Sequence, residues 1–304
     1  MTVGHNVTGN AHSNVPAASA GMLAIDGQLT VNRMGYGAMR ITGKGIFGPP
    51  ADRAECIRVL RRAVELGVNF IDTADSYGPH VSEELIAEAL HPYPAGLVIA
   101  TKGGLVRPGP DVWDTNGRPD HLRRALEGSL RRLKLDRIDL WQLHRIDPAV
   151  PEHEQFAVLA EFVREGLVRR VGLSEVGIDE IERARRYIDV ASVQNRYNVM
   201  DRKWDAVVDY CERHRIAFIP WFPLGAGSLE NEGNRHRATE RLQRVARAHD
   251  ATEMQIALAW LLARSETMLV IPGTSKVAHV EENITAAEIE LTEEEMHTLE
   301  RVVA

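Results

Sequence analysis

Short apolar runs alternate with longer amphipathic stretches from Met34 onward. Several of the apolar runs are rich in β-branched residues and are continuous rather than alternating, which is typical of strands covered on both faces in a parallel sheet. The pattern predicts eight such strands, at residues 34–38, 69–73, 97–101, 138–143, 168–173, 191–194, 217–220 and 268–271.

Helical periodicity fills the intervals between these runs. The predicted helices cover residues 52–66, 82–90, 119–133, 152–165, 178–187, 202–214, 239–249 and 252–263. Eight strand and helix units over this length favour a closed (β/α)₈ barrel over an open sheet. A dinucleotide-binding open sheet is disfavoured because its nearest Gly-rich match, GYGAMR at residues 35–40, lacks the third glycine and opens no helix.

Two segments precede the predicted barrel. Residues 22–31 contain two apolar runs around Asp26-Gly27, a pair that suits a tight hairpin turn. Residues 1–20 are rich in small and polar residues with almost no charge, and we expect them to be a disordered leader. The sequence therefore predicts a leader at 1–20 and a single barrel domain at 21–304. This domain begins with a short N-terminal β-hairpin that comes before the (β/α)₈ barrel itself.

Composition narrows the function classes. The chain has 304 residues, with 36 Lys and Arg against 43 Asp and Glu, so a nucleic-acid partner is not expected. Cys56 and Cys211 are far apart in sequence, which argues against a disulfide framework, and the 12 histidines form no metal-binding motif. With no apolar run of membrane-spanning length and no secretion signal, we expect a soluble cytoplasmic protein.

Ionisable residues follow three predicted strands. Asp72 lies at the end of one run, Lys102 directly follows the next, and His144 directly follows a third. Tyr77 comes five residues after Asp72 in the same loop. Active sites of (β/α)₈ barrels lie at the C-terminal ends of the strands, so we expect these four side chains to meet there. Taken alone, Asp72 with Lys102 is equally consistent with a structural ion pair.

The four residue types form a plausible proton-donating unit. A phenol is a poor acid at neutral pH unless a cation stabilises its phenolate, and Lys102 is positioned in sequence to supply that cation. Asp72 would keep the lysine charged, and His144 would donate a hydrogen bond to a carbonyl oxygen. The interpretation is that Tyr77 donates a proton during reduction of a carbonyl group.

At these residues the sequence resembles the aldo-keto reductase family, from about residue 23 to 289. NFIDTADSYG, IATKGG and LWQLHRID are similar to the segments that carry that family's catalytic Asp, Tyr, Lys and His. VGLSEVG, SVQNRYN, IPWFPLG and IPGTSKVAHVEENI follow in the family's order. The resemblance implies an NADPH-dependent oxidoreductase that reduces aldehydes or ketones, with NADH as a weaker cofactor and with catalytic Asp72, Tyr77, Lys102 and His144.

The resemblance also implies a cofactor site. Ser174 and Gln194 would hold the nicotinamide carboxamide, Trp221 would stack on the ring, and Ser275 with Lys276 would contact the 2′-phosphate. The remaining implied cofactor residues are Leu224, Gly273, Glu282 and Asn283. The chain departs from the family twice: Glu175 replaces a common Asn beside the nicotinamide, and His279 replaces an Arg near the adenine.

GIFGPP, SYGPHVSEELI and HPYP resemble the pyridoxal reductase and pyridoxine dehydrogenase branch. Phe47, Trp113 and Phe222 are predicted to wall a pocket for a planar ring.

The sequence does not predict the oligomeric state, and two alternative functions stay open. One is an NADPH-binding regulatory subunit like the potassium-channel β-subunits, which resemble the same family; the other is a barrel hydrolase, which would need a carboxylate pair or a metal site.

Overall fold

The computed structural model describes residues 15–225 and 232–301, and the side chains of residues 232–238 are outside this description. Eleven strands lie in these ranges: β1 (Met22–Ile25), β2 (Leu29–Asn32), β3 (Tyr36–Gly37), β4 (Phe70–Asp72), β5 (Val98–Gly103), β6 (Leu105–Gly109), β7 (Val112–Thr115), β8 (Ile138–Leu143), β9 (Val168–Ser174), β10 (Val190–Gln194) and β11 (Ala217–Phe218).

Seven strands form one parallel sheet in the order β11-β10-β9-β8-β5-β4-β3. Both edges of this sheet pair with the segment at residues 268–270. Met268 bridges Phe218 in β11, and Val270 bridges Met34 just before β3. The eighth predicted strand is therefore reduced to two bridges, and with them the sheet closes in the manner of a (β/α)₈ barrel.

Ten α-helices in the same described ranges surround the sheet: α1 (Arg53–Glu65), α2 (Val81–Leu90), α3 (Pro119–Leu133), α4 (Glu152–Arg164), α5 (Ile178–Ala184), α6 (Asp205–His214), α7 (Glu232–Ala248), α8 (Glu253–Arg264), α9 (Val277–Thr285) and α10 (Glu293–Glu300). Local signals explain several starts. Asp52 accepts from the Glu55 N–H ahead of α1, and Thr252 forms a capping box with Gln255 ahead of α8.

Three differences from the sequence predictions concern whole elements. Residues 1–14 of the predicted leader lie outside the described residues, but Pro16–Ala20 form a 3₁₀ helix with Ala17 fully buried, so the predicted disorder is wrong for these residues. The antiparallel pair β6 and β7 was not predicted. Helices α9 and α10 were also not predicted as helices.

The predicted N-terminal hairpin is present as β1 and β2, which pair antiparallel. Ile25, Leu29 and Val31 pack in a cluster with side chains from β4, β5, β8, β10 and β11. Asp26 in the hairpin turn forms an ion pair with Arg170, near the start of β9. The hairpin therefore covers the N-terminal ends of the strands, opposite the predicted site.

None of the helices in the described part of the chain is long and apolar enough to cross a membrane.

Candidate active site

The four predicted catalytic residues, Asp72, Tyr77, Lys102 and His144, form a tetrad at the C-terminal ends of the parallel strands. Asp72 ends β4, Lys102 lies in β5, and His144 directly follows β8. Tyr77 comes from the turn after β4, where Gly78 adopts φ 103° and an added Cβ would lie 2.5 Å from the Val81 Cβ. Only glycine fits this turn, which bends the chain into α2 and leaves Tyr77 beside Lys102.

The Lys102 ammonium is fully buried and has three oxygen partners. It donates to Asp72 Oδ2 at 2.6 Å, to the Thr73 carbonyl at 2.8 Å, and to the Tyr77 hydroxyl oxygen at 3.4 Å. The other carboxylate oxygen of Asp72 accepts from the Gln142 and Gln194 amides at 3.1 and 2.9 Å. Every charge in this cluster is thus paired or hydrogen-bonded, as buried charges require.

Burial dominates the acidity of Tyr77. It raises the pKa of the phenol above its usual value, while the Lys102 charge acts in the opposite direction and limits the rise. For Lys102 itself, burial acts to lower the pKa, but the Asp72 carboxylate and then Tyr77 outweigh it and hold the pKa above its usual value. Burial of the phenol therefore outweighs the Lys102 charge, and the pKa of Tyr77 lies above its usual value.

His144 faces the same space as a neutral ring. Its Nδ1 lies 3.3 Å from Ser76 Oγ, and its ring centroid lies 5.9 Å from that of Tyr77 in an edge-on arrangement. Burial lowers the pKa of His144 well below its usual value, and the positive charges of Lys102, Arg145 and Arg107 lower it further. A neutral imidazole can still donate one hydrogen bond to a substrate oxygen.

A cavity of about 810 Å³ opens above these residues. Asp72, Tyr77 and His144 line it, and Trp113 and Phe222 contribute aromatic walls, as predicted. Phe47 is not among the lining residues, so its prediction as a pocket wall is wrong. The chain turns at Ile46, which adopts φ 54° and lines the cavity, while Phe47 pairs through its backbone with Gly78.

The predicted nicotinamide residues Ser174, Gln194 and Trp221 line this cavity, as do the predicted cofactor residues Leu224 and Gly273. Glu175, the departure from the family pattern, accepts from Trp221 Nε1 at 2.7 Å and from the Arg196 N–H at 2.6 Å. It adopts φ 56°, a left-handed conformation that Asn tolerates better. Glu175 therefore orients the Trp221 indole ring through its carboxylate.

A second cavity of about 440 Å³ adjoins the first and shares Arg40, Ile46 and Gly273 with it. Ser275 lines this second cavity together with Lys44 and Thr274. The wall between Gly37 and Gly273 consists of bare backbone, since a Cβ on Gly273 would lie 2.5 Å from the Gly37 carbonyl oxygen. A long groove with an apolar, amide-lined end and a cationic, hydroxyl-bearing end fits a nicotinamide dinucleotide phosphate.

Three predicted cofactor residues lie outside both cavities. Lys276 is exposed at the start of α9, and the Glu282 carboxylate accepts from Thr252 Oγ1 at 2.7 Å. Asn283 is buried on the same helix. His279, the second departure from the family, lies with Nδ1 3.4 Å from Thr274 Oγ1. Lys276 directly follows Ser275, and Glu282, Asn283 and His279 lie on α9. None of the four is among the residues that line the second cavity.

Three functional candidates were missed by the sequence reasoning. Gln142 holds Asp72, Arg145 lines the cavity next to His144, and Arg107 lies 3.6 Å above the Trp113 ring. Gln142 carried a readable signal, because it is a polar residue inside the apolar run of β8. Arg107 carried none, since its partners are backbone carbonyls of its own hairpin and of distant loops.

Among the described residues, no group of three or more His, Cys, Asp or Glu side chains could hold a metal ion.

The chain matches a protein family, described as the Aldo/keto reductase family, over residues 33–304. It is 54% identical over 284 residues to an uncharacterized oxidoreductase of Schizosaccharomyces pombe, covering 93% of this chain and 90% of the relative. It is 44% identical over 282 residues to the pyridoxine 4-dehydrogenase of Escherichia coli, covering 91% of this chain and 96% of that protein.

Among solved structures, the fold is similar to an aldo/keto reductase from Klebsiella pneumoniae in complex with NADP and acetate. The TM-score is 0.77 at 26% identity, and the match covers 92% of this chain and 94% of the other.

Proposed function

The chain belongs to the aldo/keto reductase family of oxidoreductases, and from this premise we propose that it reduces aldehydes or ketones to alcohols with NADPH. One observation carries the proposal: the buried Asp72, Lys102 and Tyr77 cluster opens into a cavity that also presents His144 and the amide side of Gln194. An NADP complex of a related family member supports the choice of cofactor.

NADPH, when bound, would supply the hydride for the carbonyl carbon. Tyr77 then completes the reduction by giving its phenolic proton to the carbonyl oxygen, so the products are the alcohol and the oxidised cofactor. The phenolate left on Tyr77 is stabilised by the Lys102 ammonium until it recovers a proton from solvent. Asp72 keeps Lys102 charged and fixed, and His144 orients the carbonyl oxygen toward Tyr77.

Cofactor binding would use the two ends of the groove. Ser174 and Gln194 would hold the carboxamide, and Trp221, oriented by Glu175, would stack on the ring. At the other end Ser275 would contact the 2′-phosphate, and the exposed Lys276 would reach it by rearranging its side chain. We propose NADPH over NADH for this reason, because a hydroxyl and a cation favour the extra phosphate.

Pyridoxal is the substrate that we propose within this class. The 44% identity to a pyridoxine 4-dehydrogenase supports it, as does a pocket walled by Trp113 and Phe222, which suits a planar ring.

A panel of aldehydes and ketones that includes pyridoxal, followed by loss of NADPH absorbance, tests the proposal. We expect turnover with several carbonyl compounds, a higher kcat/KM for pyridoxal than for a short aliphatic aldehyde, and a lower kcat/KM with NADH. Tight NADPH binding with no turnover across the panel would contradict reductase activity and favour the regulatory-subunit alternative.

A further inference from the structure

Arg145 directly follows His144 and is a half-buried cation in the wall of the large cavity. Within the described residues, no carboxylate lies within ion-pair distance of its guanidinium. Only Nη1 has partners, the Ser174 hydroxyl oxygen at 3.0 Å and the His144 carbonyl at 2.6 Å. A guanidinium has five N–H donors, so the Nε and Nη2 groups remain without a protein acceptor among these residues.

The other charged side chains that line the cavity are Asp72, the exposed Asp111 and the exposed Arg40. Asp72 is paired with Lys102, and Arg40 also lines the second cavity. Glu175 is the acid that most favours the charged form of Arg145, but its Oε1 already accepts from Trp221 and from a backbone N–H. Arg145 is therefore the cation left to meet a ligand beside His144.

The position of Arg145 relative to the reacting groups is defined by its neighbours. Its Nη1 is held between His144 and Ser174, and its charge acts on the Tyr77 hydroxyl, which would face the carbonyl oxygen. An anion bound by the unpaired donors would therefore lie close to the carbonyl group of the substrate. A partly desolvated guanidinium binds carboxylates and other anionic oxygens strongly and in a fixed geometry.

We propose that Arg145 binds an anionic oxygen of the substrate and so selects carbonyl compounds with a carboxylate or an ionised hydroxyl near the carbonyl carbon. The proposal rests on the proposed carbonyl reduction. It agrees with pyridoxal as a substrate, since the ring hydroxyl of pyridoxal is adjacent to its aldehyde.

Two matched substrate pairs test it and separate the two kinds of anion. Phenylglyoxylate is compared with its methyl ester, and 3-hydroxypyridine-4-carbaldehyde, whose hydroxyl is ionised at neutral pH, with pyridine-4-carbaldehyde. For each pair we expect the unmutated protein to prefer the anionic member. In Arg145→Gln the ratio of kcat/KM values should fall about tenfold or more, mainly through KM, the size of a charge-assisted hydrogen bond.

Two further variants sharpen the result. Arg145→Lys keeps the charge and should retain part of the preference. Arg170→Gln is the matched control, because Arg170 Nη1 also donates to the preceding carbonyl, at 2.7 Å, but lies at the opposite end of the strands. Its ratios should equal those of the unmutated protein.

Binding provides a readout without turnover. Calorimetric titration of the NADP⁺-loaded protein with phenylglyoxylate should give a dissociation constant about tenfold or more larger for Arg145→Gln than for the unmutated protein. If Arg145→Gln lowers kcat/KM equally for both substrates of each pair and leaves the dissociation constant unchanged, Arg145 only orients Ser174 and the proposal is wrong. Failure of the proposed function would look different, because neither member of either pair would then be reduced by any form of the protein.

Discussion

At the scale of single residues, the neutral state of His144 sets the pH dependence that we expect. Burial and three nearby cations lower its pKa well below the usual value of about 6.5. The ring therefore stays neutral as pH falls through that value, and kcat/KM should show no loss centred near pH ~6.5 that depends on this residue. A rate profile that loses activity there in the unmutated protein, but not in His144→Asn, would contradict this assignment.

The tetrad could be predicted from sequence because Asp72, Lys102 and His144 stand at strand ends and Tyr77 lies in the loop after one of these strands, where barrel sites lie. The contacts around it could not be predicted. The Arg145 guanidinium donates to Ser174 Oγ and the Glu175 carboxylate accepts from Trp221 Nε1, and both partners come from other elements of the chain. The wrong assignment of Phe47 has the same origin, since one left-handed residue, Ile46, decides which side chain lines the cavity.

At the scale of elements, the hairpin of β6 and β7 joins the loops around the cavity mouth through Arg107. Its guanidinium donates to the carbonyls of Gly45 and Ile46 at 2.7 Å and of Val112 at 2.8 Å, and it lies 3.6 Å from the Trp113 ring centre. This hairpin escaped prediction because RPGP, at residues 107–110, interrupts the alternation that marks strands. The longer amphipathic helices were predictable because their periodicity needs no distant partner.

Arg107→Met tests the role of this hairpin. Methionine keeps much of the volume but removes the donor of these hydrogen bonds to backbone carbonyls, so we expect KM for carbonyl substrates to rise about tenfold while cofactor affinity changes little. Hydrogen exchange should quicken across residues 105–115. Arg61→Met is the control, since the exposed Arg61 donates to a single carbonyl, that of Ala89, far along the chain from the hairpin. Equal effects of the two variants on KM would show that Arg107 has no specific role at the site.

At the scale of the whole molecule, the two ends of the sheet have separate tasks. The hairpin of β1 and β2 fills the N-terminal end, while the cavity occupies the C-terminal end.

Ile25→Ala should lower the free energy of unfolding by about 2–5 kcal/mol, the cost of a large-to-small change at a fully buried site, and should leave kcat unchanged. Met22→Ala, on the same strand but 72% exposed, should change stability by less than about 0.5 kcal/mol. Denaturant unfolding of both variants measures the difference, and a similar loss in the two would mean that the hairpin does not cover a core.

The proposed carbonyl reduction requires Tyr77 as the proton donor. Tyr77→Phe removes one hydroxyl and little volume, so the fold and NADPH affinity should be kept while the single-turnover rate of reduction falls by roughly 10² to 10⁴. Single-turnover kinetics with a carbonyl substrate measure the chemical step directly. A Tyr77→Phe protein that reduces the substrate at a near-normal single-turnover rate would show that the tetrad is a structural cluster and not the catalytic site.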